Sequence, residues 1–137
     1  MSLVYMIDTN ASSAVMKNIA PIAGRLGNLP SSTWCISALT AAEHYYGLAR
    51  KPEAVRLAQL VDDFLAAATV LEWDHAAAKQ LGAVRAALER EGQPIGSYDT
   101  LIAAHALARG LVLVTANVRE FSRVPGLRVE NWQTGER

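Results

Sequence analysis

The sequence has a single cysteine, Cys35, so no disulfide can form within the chain. That residue sits in the apolar run Trp34-Cys35-Ile36-Ser37-Ala38-Leu39 and reads as a small buried hydrophobe rather than a nucleophile. There is no excess of either charge, with 13 basic residues against 13 acidic, which argues against nonspecific coating of nucleic acid through many phosphate contacts. No apolar stretch reaches the ~20 residues of a membrane span. The opening Met1 to Asn10 has no basic segment and meets an acid at Asp8, so no secretory leader is readable and a cytoplasmic location is expected. Zinc-type Cys/His spacing, a glycine-rich phosphate loop and a Gly-x-Ser-x-Gly elbow are all missing.

What is there suits one globular domain spanning 1–137. At 137 residues and 51% apolar content, the chain can build one core without cross-links. Ten of its 13 basic residues are arginine, whose planar fork suits phosphate, and Arg119, Arg123 and Arg128 fall close together near the end.

Short apolar runs alternate with segments of helical period. Strands are expected at Leu3–Ile7, Trp34–Leu39, Thr69–Trp73, Leu111–Val114 and Leu127–Val129. A short helix is expected over 11–18, and a looser connection between Pro21 and Pro30. Thr40-Ala41-Ala42-Glu43 has the spacing of a capping box for a helix to about Arg50. Pro52 suits the first position of the next helix, whose Leu57, Leu60, Val61, Phe64 and Leu65 make one apolar face. Asp74 is placed to cap a helix ending at Gly92, and Ser97 to cap another running from Tyr98 to Arg109 and stopped by Gly110. Continuously apolar strands separated by helices predict an α/β fold of three layers with a central parallel sheet.

In such a sheet, ligands gather beyond the carboxyl ends of the strands. Asp8 follows the first strand, Glu43 lies on the helix after the second, and Asn117 follows the fourth; Asp99 opens the helix feeding that fourth strand. Each has an ordinary structural explanation: Asp8 as a helix cap, Glu43 as partner of Thr40, Asn117 as a turn former. Asp99 in a first turn gains only ~0.3–1 kcal/mol from the helix dipole. These explanations do not account for all four falling at comparable topological positions. Carboxylates without Cys or His partners suit hard cations, Mg²⁺ or Mn²⁺, and such an ion serves phosphodiester hydrolysis by activating water and neutralising developing charge. His44, His75 and His105 lack ligand-like partners, and of the adjacent Tyr45 and Tyr46 only one can face a core.

The segments Met6–Asn10, Ile36–Arg50, Ile95–Gly110 and Leu111–Trp132, in this order, resemble a PIN-domain ribonuclease of the VapC toxin type, and the resemblance covers essentially the whole chain. It implies a three-layer α/β/α domain that cleaves RNA with Mg²⁺ or Mn²⁺. It also implies that Asp8, Glu43 and Asp99 are the acidic metal-binding residues. The family's fourth position falls at Asn117, where many relatives carry Asp; Glu120, one turn later, is placed to compensate. Thr9, Asn10 and Thr115 resemble the small polar residues that hold the acids or touch the substrate phosphate. The resemblance further implies a homodimer, a cognate antitoxin that silences it, and a tRNA substrate. The ending Glu120–Trp132 resembles the branch that cuts the anticodon loop of initiator tRNA.

Two other readings compete. An aspartate after an apolar strand is similar to the nucleophile of haloacid-dehalogenase-like phosphatases, but that motif wants a second Asp where Asn10 stands. A degenerate module that binds RNA or protein without cutting would be consistent with the neutral Asn117, though not with retention of Asp8, Glu43 and Asp99.

Overall fold

The computed structural model describes residues 2–134. Five strands are formed: β1 (Tyr5–Ile7), β2 (Trp34–Ser37), β3 (Val70–Leu71), β4 (Val112–Val114) and β5 (Val129–Glu130). Among the described residues, seven α-helices and one short 3-10 helix (Ser31–Thr33) connect them: α1 (Thr9–Met16), α2 (Ile22–Gly27), α3 (Ala38–Ala49), α4 (Val55–Ala67), α5 (His75–Arg90), α6 (Ser97–Arg109) and α7 (Val118–Phe121). The sheet has the order β3-β2-β1-β4-β5, and every pairing is parallel. The three-layer α/β reading is therefore correct.

The central strands β1, β2 and β4 are buried on both sides because alternate residues serve different cores, while the edge strands β3 and β5 stay partly exposed. Met6, Cys35 and Leu113 pack with Val84 and Leu88 of α5 and with Ile102, Ala103 and Ala106 of α6. Their neighbours Ile7, Trp34, Ile36 and Val114 face the other way, against Ala11 and Ala14 of α1, Ile22 and Leu26 of α2, and Phe64 of α4. Period-two alternation of side chains lets a three-residue strand contribute to two layers at once. Cys35 is fully buried, and burial pushes its thiol up to about 12, so it is the inert hydrophobe expected.

Several local expectations are corrected. The helix carrying Glu43 begins at Ala38, capped by the Ser37 hydroxyl, which accepts from the Leu39 amide at 3.1 Å. Thr40 and Glu43 are thus inside the helix and form no capping box; the strand ends earlier than the apolar pattern suggests because Ser37 already turns the chain. Pro52 lies in a turn, and α4 starts three residues later at Val55. The segment between Pro21 and Pro30 is not a loose connection: it contains α2, whose Ile22 and Leu26 are buried. Gly96, not Ser97, is the residue preceding α6. Asp74 does cap α5, accepting from the Ala77 amide at 3.1 Å, and Gly110 does end α6 in a left-handed conformation at φ 65°. Neither Tyr45 nor Tyr46 enters the core; both are exposed. No helix among the described residues is long and apolar enough to cross a membrane.

Candidate active site

The order of the sheet fixes where a site can form. From β1 the chain proceeds outward to β2 and β3, then returns through α5 and α6 to β4 on the opposite side of β1. Strand order therefore reverses between β1 and β4, and the loops leaving those two strands diverge to open a crevice at their carboxyl ends.

Asp8 stands at that crevice. Its amide donates to the Val114 carbonyl at 3.0 Å, holding the end of β1 to the end of β4, and its carboxylate Oδ1 accepts from the Ala11 amide at 2.8 Å as the cap of α1. Both readings of Asp8 are therefore realised, since the cap leaves the second oxygen for other partners. Asp8 is only 3% exposed, and burial pushes its pKa up to about 6 despite stabilising hydrogen bonds from the Thr115 hydroxyl and the Ala11 amide; the nearby Glu43 charge adds to the rise.

Thr115, the residue after β4, is buried, and its hydroxyl works in two directions. It supports Asp8 and accepts from the Asn117 amide at 2.9 Å, fixing the turn that presents Asn117. Glu43 arrives from α3, and the Thr9 hydroxyl donates to its Oε1, linking the first turn of α1 to α3. Thr40 stands beside the same hydroxyl at 3.4 Å.

Asp99 lies in the first turn of α6. Because α6 runs back antiparallel to the strands, its amino end meets their carboxyl ends, and Asp99 joins the crevice. Its pKa is pushed up to about 7, first by burial, then by the charge and shared hydrogen bond of Glu120, and further by Asp8 and Glu43. Glu120, on α7, accepts from the Asn117 side-chain amide at 2.9 Å and from the Gly96 amide at 3.1 Å; these donors, the first above all, hold its pKa below the ordinary value. A hydrogen bond between two carboxyl groups requires one of them to keep its proton, and the opposite shifts place that proton on Asp99.

The structure thus brings together Asp8, Glu43, Asp99, Asn117 and Glu120, with Thr9 and Thr115 as their supports. Asn10 is exposed on α1 and its side chain makes no hydrogen bond among the described residues, so it is not drawn into this network. Of the three late arginines, Arg123 and Arg128 donate to the Pro94 and Gly110 carbonyls, and Arg119 is exposed. Among the described residues, no three Asp, Glu, His or Cys side chains already stand in chelating geometry. The mutual charge effects still place four hard-oxygen donors around one crevice, and two of them, Asp8 and Asp99, are held well above the ordinary carboxylate pKa, chiefly by burial. That donor set fits a divalent cation of the Mg²⁺ type.

Sequence reasoning missed Gly96. A Cβ there would lie 3.4 Å from Asp99 Oδ2 and 3.9 Å from Glu120 Oε1, so the bare glycine leaves the space beside both acids open while its amide holds Glu120. A glycine three positions before Asp99, at a helix entry, was the available signal. Two buried histidines also proved structural: His44 Nε2 is 2.6 Å from the Ser12 hydroxyl and His105 Nδ1 is 2.8 Å from the Ser37 hydroxyl.

An acidic crevice at the switch point of a five-stranded parallel α/β/α sheet defines a class of domain. The sequence profile of the PIN domain matches residues 5–127, and the chain belongs to that family. It is 42% identical over 130 residues to a protein of Salmonella typhimurium named tRNA(fMet)-specific endonuclease VapC, covering 95% of this chain and 98% of that one. It is 40% identical over 131 residues to ribonuclease VapC2 of Haemophilus influenzae, with the same coverage of 95% and 98%. Among solved structures, DNA-bound VapBC from Salmonella typhimurium superposes with a TM-score of 0.88 at 42% identity, over 95% of this chain and 98% of that one. VapBC2 of Rickettsia felis, bound to a promoter fragment, gives 0.87 at 32% identity over 95% and 99%.

Proposed function

We infer that this chain is an endoribonuclease toxin that hydrolyses a phosphodiester bond in RNA. The observation that carries this reading is the convergence of Asp8, Glu43, Asp99 and Glu120 at the β1/β4 crevice of a PIN domain. The named activities of relatives at 40–42% identity support RNA as substrate, with tRNA first among them and initiator tRNA as its most specific form.

Asp8, Asp99 and Glu43 would hold Mg²⁺ or Mn²⁺, which when bound supplies an activated water and neutralises charge on the phosphoryl group. The chain's own contribution is to position these oxygens. Thr115 and the Ala11 amide fix Asp8, Thr9 fixes Glu43, and Asn117 with Gly96 fixes Glu120 against Asp99. Burial of Asp8 keeps bulk water from screening the charge it offers.

The VapBC complexes among similar structures support a cognate antitoxin as partner, and a homodimer and a cytoplasmic location complete the reading. The alternative of a degenerate binding module rested on the neutral Asn117, and it loses that support because a carboxylate, Glu120, stands 2.9 Å from the amide.

Purified chain, free of antitoxin, incubated with total tRNA and Mn²⁺ or Mg²⁺ is expected to yield discrete fragments. They should disappear with EDTA and with Asp8→Ala. Intact tRNA in every lane, and intact ribosomal RNA in a parallel incubation, would reject the nuclease and favour the binding module.

A further inference from the structure

Glu43 and Tyr46 of α3 and Arg50, the residue that caps its carboxyl end, lie along one side of the helix at successive turns. The first belongs to the acidic crevice. The second is an aromatic ring left 64% exposed, although a ring of that size is ordinarily covered. The Arg50 guanidinium lies 5.5 Å above the Tyr46 ring, so a cation and an aromatic face are presented together, ~10 Å along the helix from Glu43. Across from them, Tyr98 precedes Asp99 in the first turn of α6 and is 42% exposed. Glu43, Tyr46 and Tyr98 line a single open cleft of about 360 Å³. Tyr45, also exposed, does not line it.

We propose that Tyr46 and Tyr98 form a stacking platform for an unpaired nucleobase of the RNA next to the scissile phosphate, with Arg50 receiving a neighbouring phosphate. The proposal rests on the nuclease reading for its substrate, and it adds how an unpaired stretch of that substrate is gripped. A cleft continuous with the acids, floored by aromatic faces and flanked by a guanidinium, has the chemistry of single-stranded RNA recognition: stacking for bases, positive charge for backbone. It also explains how a chain of zero net charge engages RNA: affinity comes from stacking and one placed cation, not from a basic surface. A paired base cannot offer its face to these rings, so the platform selects loops over helical stems.

The test uses a short RNA stem-loop carrying 2-aminopurine in its loop, titrated with the full chain in EDTA, where stacking is read as fluorescence quenching without cleavage. Wild type, Tyr46→Phe and Tyr98→Phe are expected to quench. Tyr46→Ala and Tyr98→Ala should each bind roughly 5- to 150-fold more weakly, the range for loss of one base–aromatic stack. Tyr45→Ala should stay within about twofold of wild type by the same scale. With Mn²⁺ and the same RNA, the alanine variants should raise KM far more than they lower kcat. Alanine variants that bind like wild type, or no quenching by wild type, would overturn the platform. So would a loss in Tyr45→Ala equal to that in Tyr46→Ala. If sedimentation shows that the alanine variants break a wild-type dimer and lose binding only through that, the face is an interface between copies and the platform is rejected. The nuclease reading is judged separately, by EDTA-sensitive cleavage of tRNA and its loss in Asp8→Ala.

Discussion

The Asn117 side-chain amide donates to Glu120 Oε2 at 2.9 Å, so the neutral residue at the position of an expected acid is the partner that orients an acid three residues later. The charge removed at 117 is restored at 120, one turn on, with the amide as its anchor. Asn117→Ala should therefore leave the fold intact, since the turn is held by the backbone amide on Thr115, yet release Glu120. Loss of such a supporting hydrogen bond typically costs about 10- to 100-fold in metal affinity or activity. Titration with Mn²⁺ and cleavage assays on Asn117→Ala and Glu120→Gln check this, and the two variants should be impaired alike.

Asp8 is a carboxylate held where ionisation is unfavourable. Its folded pKa of about 6 lies above the ordinary 3.8. The stability this confers is complete below pH ~4, where both folded and unfolded chains are protonated, and is lost as pH rises through about 6. Above that, the metal-free protein is destabilised by roughly 3 kcal/mol relative to a neutral residue. Asp8→Asn keeps an oxygen for the Ala11 amide and removes the charge. At pH 8, in EDTA, it should melt several degrees above wild type while being inactive; at pH 4 the two should melt alike. His44 and His105, whose burial holds their pKa below the ordinary 6.5, act oppositely, losing stability as pH falls, but they do so equally in both proteins.

Asp99 keeps a proton up to about pH 7, first because it is buried and then because Glu120 faces it. A divalent cation must displace that proton, so metal affinity should weaken steeply as pH falls from 8 to 6, and binding at pH 6.5 should release protons to the buffer. Calorimetry in buffers of different ionisation enthalpy measures the release directly. In Asp99→Asn most of that proton release should be lost, along with most of the affinity.

Thr9 holds Glu43 through its hydroxyl. Thr9→Val preserves the shape and removes the donor; cleavage should fall about 10- to 100-fold, whereas Thr9→Ser should remain near wild type. A far-ultraviolet spectrum and melting curve matching wild type would confirm that the loss is local.

The short apolar run ending in Asp8, and the run Leu111 to Val114 ending in Thr115, were legible in the sequence as strands entering a site, because burial on both faces leaves no polar residue in a parallel strand until it exits the sheet. Caps and turns were less legible. Ser37 ends β2 and starts α3, and no pattern distinguished it from Thr40, which offers the same hydroxyl three residues later. Helix α2 was hidden between prolines because its stability comes from burying Ile22 and Leu26 against α1 and the sheet, not from local propensity.

The amino-acid sequence by itself determined the alternation of strands and helices, the parallel α/β class and the identity of the acids, since periodicity and residue chemistry are local properties. Tertiary structure alone decided that β4 lies beside β1, that α6 returns its first turn to the strand ends, and that Glu120 rather than Asn117 completes the acidic group. It decided too that the pKa values of Asp8 and Asp99 are raised, to about 6 and about 7. Those outcomes depend on which distant charges and dipoles are brought within a few ångströms of one another, and only the packed chain sets such distances.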